Sequence, residues 1–129
     1  MVNTIWVVDD DPGVTYTVKY GLEKLDPNYK IVTLSSGKEC LKLLENNQIP
    51  DLILLDIMMP EMSGWTTLQK IREDLTSDEL PVIFLSARKD HTAKDAGGFL
   101  GEDYIEKPVK IPDLKQRIDK ILAKKTNPG

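Results

Sequence analysis

The stretch VVDDDPGV, residues 7–14, places three consecutive carboxylates at the end of an apolar run and a proline directly after them. Adjacent anions repel one another by roughly 1–4 kcal/mol per close pair, depending on the local dielectric. The three acids therefore either point apart into water or are held together by a cation. Asp11 followed by Pro12 is also typical of a helix N-cap with proline at the first helical position. A strand, a turn and a helix are predicted here, in that order.

Apolar runs recur along the chain at residues 5–8, 31–34, 52–55 and 82–85, with a weaker one at 104–105. The clearest runs are continuous rather than alternating, which is typical of strands buried on both faces of a parallel sheet. The segments between them carry apolar residues at helical spacing. The clearest helical stripes are Val14, Val18, Leu22 and Leu25; Trp65, Leu68, Ile71 and Leu75; and Leu114, Ile118, Ile121 and Leu122.

Helix start signals agree with these stripes. Ser36 and Glu39 have the spacing of a capping box, Ser63 can cap the next helix, and Pro112 can open the last one. The order is β–α repeated five times with short connections. We predict a single α/β domain in which a five-stranded parallel sheet is flanked by five helices.

Length and composition limit the class of protein. The 129 residues predict one domain, which we place at residues 1–125 with a tail at 126–129. A net charge of -4 gives no electrostatic reason to expect direct contact with nucleic acid or a membrane. The single cysteine, Cys40, excludes an internal disulfide and lies on an apolar helix face, so a buried thiol is predicted. These features favour a cytoplasmic location.

Ligands of such sheets bind outside the carboxyl ends of the strands, where the strand order reverses. Chemically competent residues follow four of the five runs: the acids Asp9–Asp11, then Asp56, Ser86 and Lys107. The second run is followed only by a cap, so its strand is predicted at the sheet edge. A triple aspartate alone is usually a solvated turn, but four such coincidences at the same strand ends argue against that interpretation.

The chemistry of this set points to phosphate. Carboxylates are hard oxygen ligands that suit Mg²⁺, whereas one histidine and one cysteine could not build a zinc site. A lysine and a hydroxyl provide partners for further anionic oxygens. An aspartate can act as the nucleophile in phosphoryl transfer and form an acyl phosphate.

The stretches VVDDD, LILLDIMMPEMSGW, VIFLSA and DYIEKP resemble, in order and spacing, the chemotaxis-regulator-like receiver domain of two-component response regulators. The resemblance covers roughly residues 3–124. It implies a doubly wound, flavodoxin-like fold with strand order 2-1-3-4-5. It also implies a phosphorylation switch that accepts its phosphoryl group from a histidine kinase and alters a surface that binds a downstream protein. Such a domain would catalyse only its own phosphorylation and dephosphorylation and would not be an enzyme otherwise.

The same resemblance implies a role for each site residue. Asp11 is left as the cap of the first helix rather than a ligand. The implied roles are Asp56 as phosphoacceptor; Asp9, Asp10, Asp56 and the backbone carbonyl of Met58 as Mg²⁺ ligands; Lys107 as the phosphate-binding lysine; Ser86 as the switch hydroxyl; and Tyr104 as the switch aromatic.

The segment between Ser86 and Lys107 departs from the family pattern. It is about one residue shorter than usual, and Gly97 and Gly98 fall where the fourth helix would end in an apolar turn. Each glycine disfavours a helix by up to about 1 kcal/mol. We therefore expect this helix to be short or mobile and the usual output surface to be altered.

Two other functions remain open. A small phosphatase of the haloacid dehalogenase type would use Asp9 as nucleophile and Asp11 as the second acid of its D-x-D motif, but Gly13 stands where that family prefers Thr or Val and no cap domain is visible. A docking module without turnover is the third possibility, and the full set of acids, Ser86 and Lys107 argues against it. The sequence names no kinase, stimulus or partner, and it fits both a stand-alone receiver and a piece of a longer regulator or hybrid kinase.

Overall fold

The computed structural model describes residues 2–75, 80–86 and 103–126. Strands and helices alternate through the first four strands, and α3 runs on into a π-helical turn. The elements are β1 (Asn3–Val8), α1 (Pro12–Leu25), β2 (Tyr29–Leu34), α2 (Gly37–Glu45), β3 (Leu52–Asp56), α3 (Gly64–Lys70), the π-helical turn (Ile71–Leu75), β4 (Val82–Ser86), β5 (Asp103–Glu106) and α4 (Ile111–Thr126).

The five strands form one parallel sheet in the order β2-β1-β3-β4-β5. This order confirms the doubly wound fold and the edge position of β2. The register aligns the carboxyl ends, since Val8 pairs with Leu34 and Leu55, and Ser86 pairs with Glu106. The chain reverses its direction of strand addition between β1 and β3, so any ligand is expected beside the carboxyl ends of these two strands.

Two apolar layers cover the sheet, one on each face. On one face, α1 and α4 pack through residues such as Val18 and Ile118, and on the other, α2 and α3 pack through residues such as Leu44 and Leu68. The predicted stripes are confirmed for the described side chains of these helices, with one error: Leu25 is 51% exposed. The side chain of Leu75 lies outside the described residues. Leu25 is the last residue of α1, where the chain turns into the connection to β2. Cys40 is fully buried as predicted, and burial raises the pKa of its thiol to about 12.

The predicted caps open the first three helices. Asp11 accepts a hydrogen bond from the backbone N–H of Gly13, and Ser36 and Ser63 cap α2 and α3 in the same manner. The capping box of α2 is incomplete, because the Glu39 carboxylate accepts from Ser35 rather than from Ser36. Each cap satisfies a backbone donor at the helix start and fixes where the preceding loop ends.

Side chains of α1 close the open edge of β2. The Lys19 ammonium donates to the carbonyl of Ile31 at 2.7 Å, and the Ile31 N–H donates to the Glu23 carboxylate at 3.0 Å. The Ile31 hydrogen bond is the main reason why the pKa of Glu23 is lowered. An edge strand whose polar backbone is occupied in this way offers fewer groups for pairing with another chain.

Five helices were predicted, and the fourth of them, which contains Gly97 and Gly98, lies outside the described residues. Within residues 2–75, 80–86 and 103–126, four α-helices flank the sheet. None of these is long and apolar enough to cross a bilayer.

Candidate functional site

Three carboxylates and a lysine meet at the carboxyl end of the sheet. Asp9 and Asp10 follow β1, and Asp56 is the last residue of β3, the strand next to it. One carboxylate oxygen from each of these three residues lies within 4.8 Å of the others. The expectation that these acids meet at the carboxyl ends of neighbouring strands is therefore confirmed.

Lys107 bridges two of the acids. Its ammonium nitrogen lies 2.8 Å from Asp9 Oδ2 and 3.0 Å from Asp56 Oδ1. The side chains of Asp9 and Asp56 are only 1% and 5% exposed, whereas that of Asp10 is exposed. Ion pairs between nearly buried groups are screened much less by solvent than pairs at the surface. The single ammonium therefore holds together two carboxylates that would otherwise repel each other.

Burial perturbs the ionisation of Asp56. Desolvation is the largest cause and raises the pKa of Asp56 to about 6; the hydrogen bond from Lys107 acts against it, and the negative charge of Asp9 adds to it. For Lys107, desolvation acts to lower the pKa, but the bonds to Asp9 and Asp56 outweigh it and raise the pKa. Lys107 is thus charged at neutral pH. A second cation beside Asp56 would favour the ionised form of the Asp56 carboxyl group.

The backbone of the β1–α1 turn supports Asp9. The N–H of Asp11 donates to Asp9 Oδ1 at 2.9 Å, so both oxygens of the Asp9 carboxylate have a partner. The carboxylate of Asp11 accepts from Gly13 N at 2.9 Å. This confirms Asp11 as the cap of α1 and directs its side chain to the helix start.

Gly64 is a site residue whose importance the sequence did not reveal. A Cβ added at Gly64 would lie 2.3 Å from the backbone oxygen of Asp56, and the Gly64 N–H donates to the carbonyl of Ile57 at 2.8 Å. Only a residue without a side chain lets α3 begin this close to the Asp56 backbone. Its position directly after the cap Ser63 was the available signal.

The remaining predicted residues lie around the cluster. Ser86 is fully buried at the end of β4, and its carbonyl accepts from the Lys107 N–H at 2.6 Å. Tyr104 pairs with Phe84, farther back along the sheet, and packs on the face covered by α2 and α3. Met58, two residues after Asp56, has a side chain that is 67% exposed. The switch roles of Ser86 and Tyr104 and the metal-ligand role of the Met58 carbonyl stay predictions.

The donor set fits a small hard cation. Three carboxylates with one paired ammonium leave an excess of negative charge in a small volume. The donors are all oxygens, which Mg²⁺ prefers, and Mg²⁺ usually takes only a few carboxylates and keeps several waters. The exposed carboxylate of Asp10 leaves one side of the cluster accessible to solvent.

Comparison with known proteins agrees with this geometry. The family model described as the response regulator receiver domain matches residues 5–119. The chain is 40% identical over 123 residues to a probable cyclic di-GMP phosphodiesterase of Vibrio cholerae, covering 95% of this chain and 27% of the relative. It is 33% identical over 125 residues to the alkaline phosphatase synthesis transcriptional regulatory protein PhoP of Bacillus subtilis, covering 96% of this chain and 50% of PhoP.

Solved structures give the same assignment. A response regulator receiver domain protein from Clostridium thermocellum superposes with a TM-score of 0.86 at 27% identity, over 99% of this chain and 100% of that one. The chain spans about half or less of the length of the two curated relatives named above. The family match extends over most of the chain and includes all the residues of the acidic cluster. The chain belongs to the response regulator receiver domain family.

Proposed function

We propose that this chain is the phosphorylation switch of a two-component system, with Asp56 as phosphoacceptor and a histidine kinase as phosphodonor. The observation that carries the proposal is the bridge from Lys107 to Asp9 and Asp56, with Asp10 beside them. Receiver domains are signalling domains that bind Mg²⁺ at an acidic pocket and interact with kinases and effectors.

Different residues would contribute differently to phosphoryl transfer. Asp9, Asp10 and Asp56, with the Met58 carbonyl, would hold Mg²⁺, which supplies positive charge to phosphate oxygens. Lys107 supplies a second positive charge, bonded to Asp56 Oδ1. Catalysis of phosphoryl transfer consists mostly of positioning and charge neutralisation. We therefore expect the domain to promote its own phosphorylation and dephosphorylation without any other enzymatic activity.

The covalent step begins with ionised Asp56. One carboxylate oxygen attacks the phosphorus of the phosphohistidine, a P–O bond forms, and the P–N bond to the imidazole breaks. The electron pair of the broken bond stays on the imidazole nitrogen of the donor, which can then take up a proton. The product is an acyl phosphate on Asp56, and water later cleaves it to restore the carboxylate and release phosphate.

The phosphatase alternative is less well supported by the geometry. It needs Asp9 to be a free nucleophile and Asp11 to face the same substrate. Both oxygens of Asp9 are engaged, by Lys107 and by the Asp11 N–H, and the Asp11 carboxylate binds Gly13. The family match also favours the receiver.

The proposed switch begins at Lys107. A phosphoryl dianion on Asp56 should draw the ammonium and the Ser86 hydroxyl toward it through charge-assisted hydrogen bonds. Because the Lys107 N–H is bonded to the Ser86 carbonyl, movement at either residue affects the ends of both β4 and β5. Reversing a 1:99 ratio of two states requires about 5.5 kcal/mol, and bonds to charged groups contribute roughly 1.5–3 kcal/mol each. Rotation of Tyr104 toward a buried position would complete the change.

Intact-mass measurement tests the proposed function. Incubation with acetyl phosphate and Mg²⁺ should add one phosphoryl group to the wild-type chain and none to Asp56→Asn. Asp119→Asn, on the exposed side of α4, is the matched control and should be phosphorylated like the wild type. Phosphorylation that persists in Asp56→Asn, or that maps to Asp9, would transfer the support to the phosphatase alternative.

Hydrogen exchange tests the switch separately. Beryllofluoride with Mg²⁺ should increase amide protection at residues 103–106, and Ser86→Ala should reduce that increase. A change restricted to Asp56 and its loop would show that phosphorylation occurs without the proposed switch.

A further inference from the structure

Two consecutive turns hold the acidic pair. Asp9 Oδ1 accepts from the N–H of Asp11, and Asp11 Oδ1 accepts from the N–H of Gly13, each at 2.9 Å. Both bonds join a carboxylate to the backbone two residues later, which is the pattern of an Asx turn. The N–H that supports Asp9 therefore belongs to the residue whose own side chain caps α1. Asp10 is the middle residue of the first turn, so the same backbone sets where its side chain starts.

The Asp9 carboxylate has one side-chain partner and one backbone partner. Oδ2 is bonded to the Lys107 ammonium, which lies at the end of a long side chain and is also bonded to Asp56. Oδ1 is bonded to a backbone N–H at the start of a helix that packs on the sheet. When Lys107 turns to an incoming phosphate, the Asp11 N–H is the partner that keeps the Asp9 carboxylate in place.

We infer that Asp11 is a positioning residue for the metal site. Its carboxylate fixes the start of α1 and thereby the N–H that orients Asp9. The side chain of Asp11 is exposed, and its carboxylate is not one of the three that cluster within 4.8 Å. The inference rests on the proposed function for the identity of the ion, but it concerns metal affinity and not phosphoryl transfer.

Gly13 adds a steric condition to this arrangement. A Cβ at Gly13 would lie 3.2 Å from Asp11 Oδ1, which is a tight contact. A larger residue there would press on the capping carboxylate. The small size of Gly13 thus leaves room for the capping carboxylate of Asp11, and the sequence D-P-G at residues 11–13 fits the geometry of the cap.

Substitutions at Asp11 separate capping from charge. Asp11→Ala removes both the acceptor and the negative charge. Asp11→Asn keeps a good capping acceptor and removes only the charge. Ser36→Ala removes the equivalent cap of α2, in which the Ser36 side chain accepts from the N–H of Glu39 and none of the three clustered acids takes part. Mg²⁺ affinity is measured without phosphate through the fluorescence of Trp65, which follows Gly64 at the Asp56 backbone, and urea unfolding measures stability in parallel.

We expect Asp11→Ala to weaken Mg²⁺ binding by about 10-fold, as is typical when a residue that orients a metal ligand is lost. Asp11→Asn should stay within about 2-fold of the wild type. Ser36→Ala should lower the urea midpoint about as much as Asp11→Ala while leaving Mg²⁺ affinity unchanged. This pattern would assign the loss of affinity to the orientation of Asp9 rather than to charge or global stability.

Each other result overturns the inference. Equal losses in Asp11→Ala and Asp11→Asn would show that Asp11 acts through its charge. Equal losses in Asp11→Ala and Ser36→Ala would show a general effect of a lost cap, and wild-type affinity in Asp11→Ala would show that the cap is dispensable. A wild-type chain that binds Mg²⁺ but accepts no phosphoryl group would contradict the proposed function alone, whereas a wild-type chain that binds no Mg²⁺ would contradict both.

Discussion

Two lysines in this molecule each bridge two aspartates, at different places in the fold. Lys107 joins Asp9 and Asp56 at the carboxyl end of the sheet, at 2.8 and 3.0 Å. Lys115 of α4 joins Asp119, one turn later, and Asp26, which follows α1, at 2.5 and 3.5 Å. The residue types and the number of contacts are the same in both clusters.

The clusters differ in the burial of their acids and not of their lysines. Both lysine side chains are 24% exposed, but Asp9 and Asp56 are 1% and 5% exposed, whereas Asp26 and Asp119 are 23% and 48% exposed. In the buried cluster, desolvation raises the pKa of Asp56 to about 6. In the exposed cluster, the hydrogen bond from Lys115 to Asp119 is the main cause of the raised pKa of Lys115.

The surroundings of Lys115 indicate a structural role. Its ammonium lies 5.2 Å from the centre of the Tyr29 ring, and the Tyr29 hydroxyl donates to Asp119. These contacts tie α4 to the start of β2 and to the end of α1. Because the carboxylates of Asp9 and Asp56 have lost most of their water, an added cation or phosphate would change the charge balance more strongly there than in the exposed cluster.

Removing each lysine charge should give the largest difference between the clusters. Lys107→Met keeps most of the aliphatic stem but leaves two buried carboxylates without their cation, and we expect a loss of about 3 kcal/mol in the free energy of unfolding. The acids beside Lys115 are already partly exposed to water. Lys115→Met should therefore lower the free energy of unfolding by less than about 1 kcal/mol. Urea unfolding at pH 7.5 in EDTA measures both.

Mg²⁺ provides the control for this pair. A divalent cation should restore part of the stability of Lys107→Met, because it replaces the missing positive charge beside Asp9 and Asp56, and it should not restore Lys115→Met selectively. Equal losses in the two variants would mean that burial of the acids does not distinguish the clusters.

Removing one acid from each cluster should change stability in opposite directions. The pKa of Asp56 is raised from 3.8 to about 6, so the folded state binds a proton more tightly than the unfolded chain. The contribution of Asp56 to stability therefore falls as the pH rises from about 4 to 6 and is fully unfavourable above that window. At about 1.4 kcal/mol per pKa unit, Asp56→Asn should stabilise the metal-free protein by about 3 kcal/mol at pH 7.5.

The pH dependence is the sharper part of this test. The gain from Asp56→Asn should shrink between pH 7.5 and pH 5, because the wild-type carboxyl becomes protonated in the folded state. Asp119→Asn removes a charge that pairs with Lys115 and should lower stability slightly, by less than about 1 kcal/mol. Urea midpoints at several pH values in EDTA give both results. A stabilising effect of Asp56→Asn that is the same at pH 5 and pH 7.5 would contradict the assigned pKa.

The sequence contained enough information for the fold and for the composition of the site. Continuous apolar runs and helical stripes are local patterns, and the rule for carboxyl ends then placed Asp9, Asp56 and Lys107 at the same edge. The caps Asp11, Ser36 and Ser63 were predictable for the same reason, since each acts within two or three residues of itself.

Features that depend on distant packing were not predictable. Tyr29 and Asp119 are 90 residues apart, and neither has a local pattern that reveals their contact. The close approach of Gly64 to the Asp56 backbone depends on where α3 lies on the sheet. Leu25 fits the helical period and is still exposed, because periodicity assigns a side chain to a face but does not state how far the covering layer extends.

The smallest expected effect concerns Mg²⁺ itself. An ion that binds only the folded state stabilises it by RT ln(1 + [L]/Kd), which is about 1.4 kcal/mol at ten times the dissociation constant. Asp10→Asn should lose this increment, because Asp10 is an exposed member of the metal cluster and its removal breaks neither bond of Lys107. Asp26→Asn, the corresponding change in the exposed cluster, should keep it. The measurement is the urea midpoint of each variant with and without Mg²⁺, with Ca²⁺ as a second ion. If Asp10→Asn and Asp26→Asn respond to Mg²⁺ alike, the ion stabilises the chain by general screening, and the buried cluster has no special affinity for it.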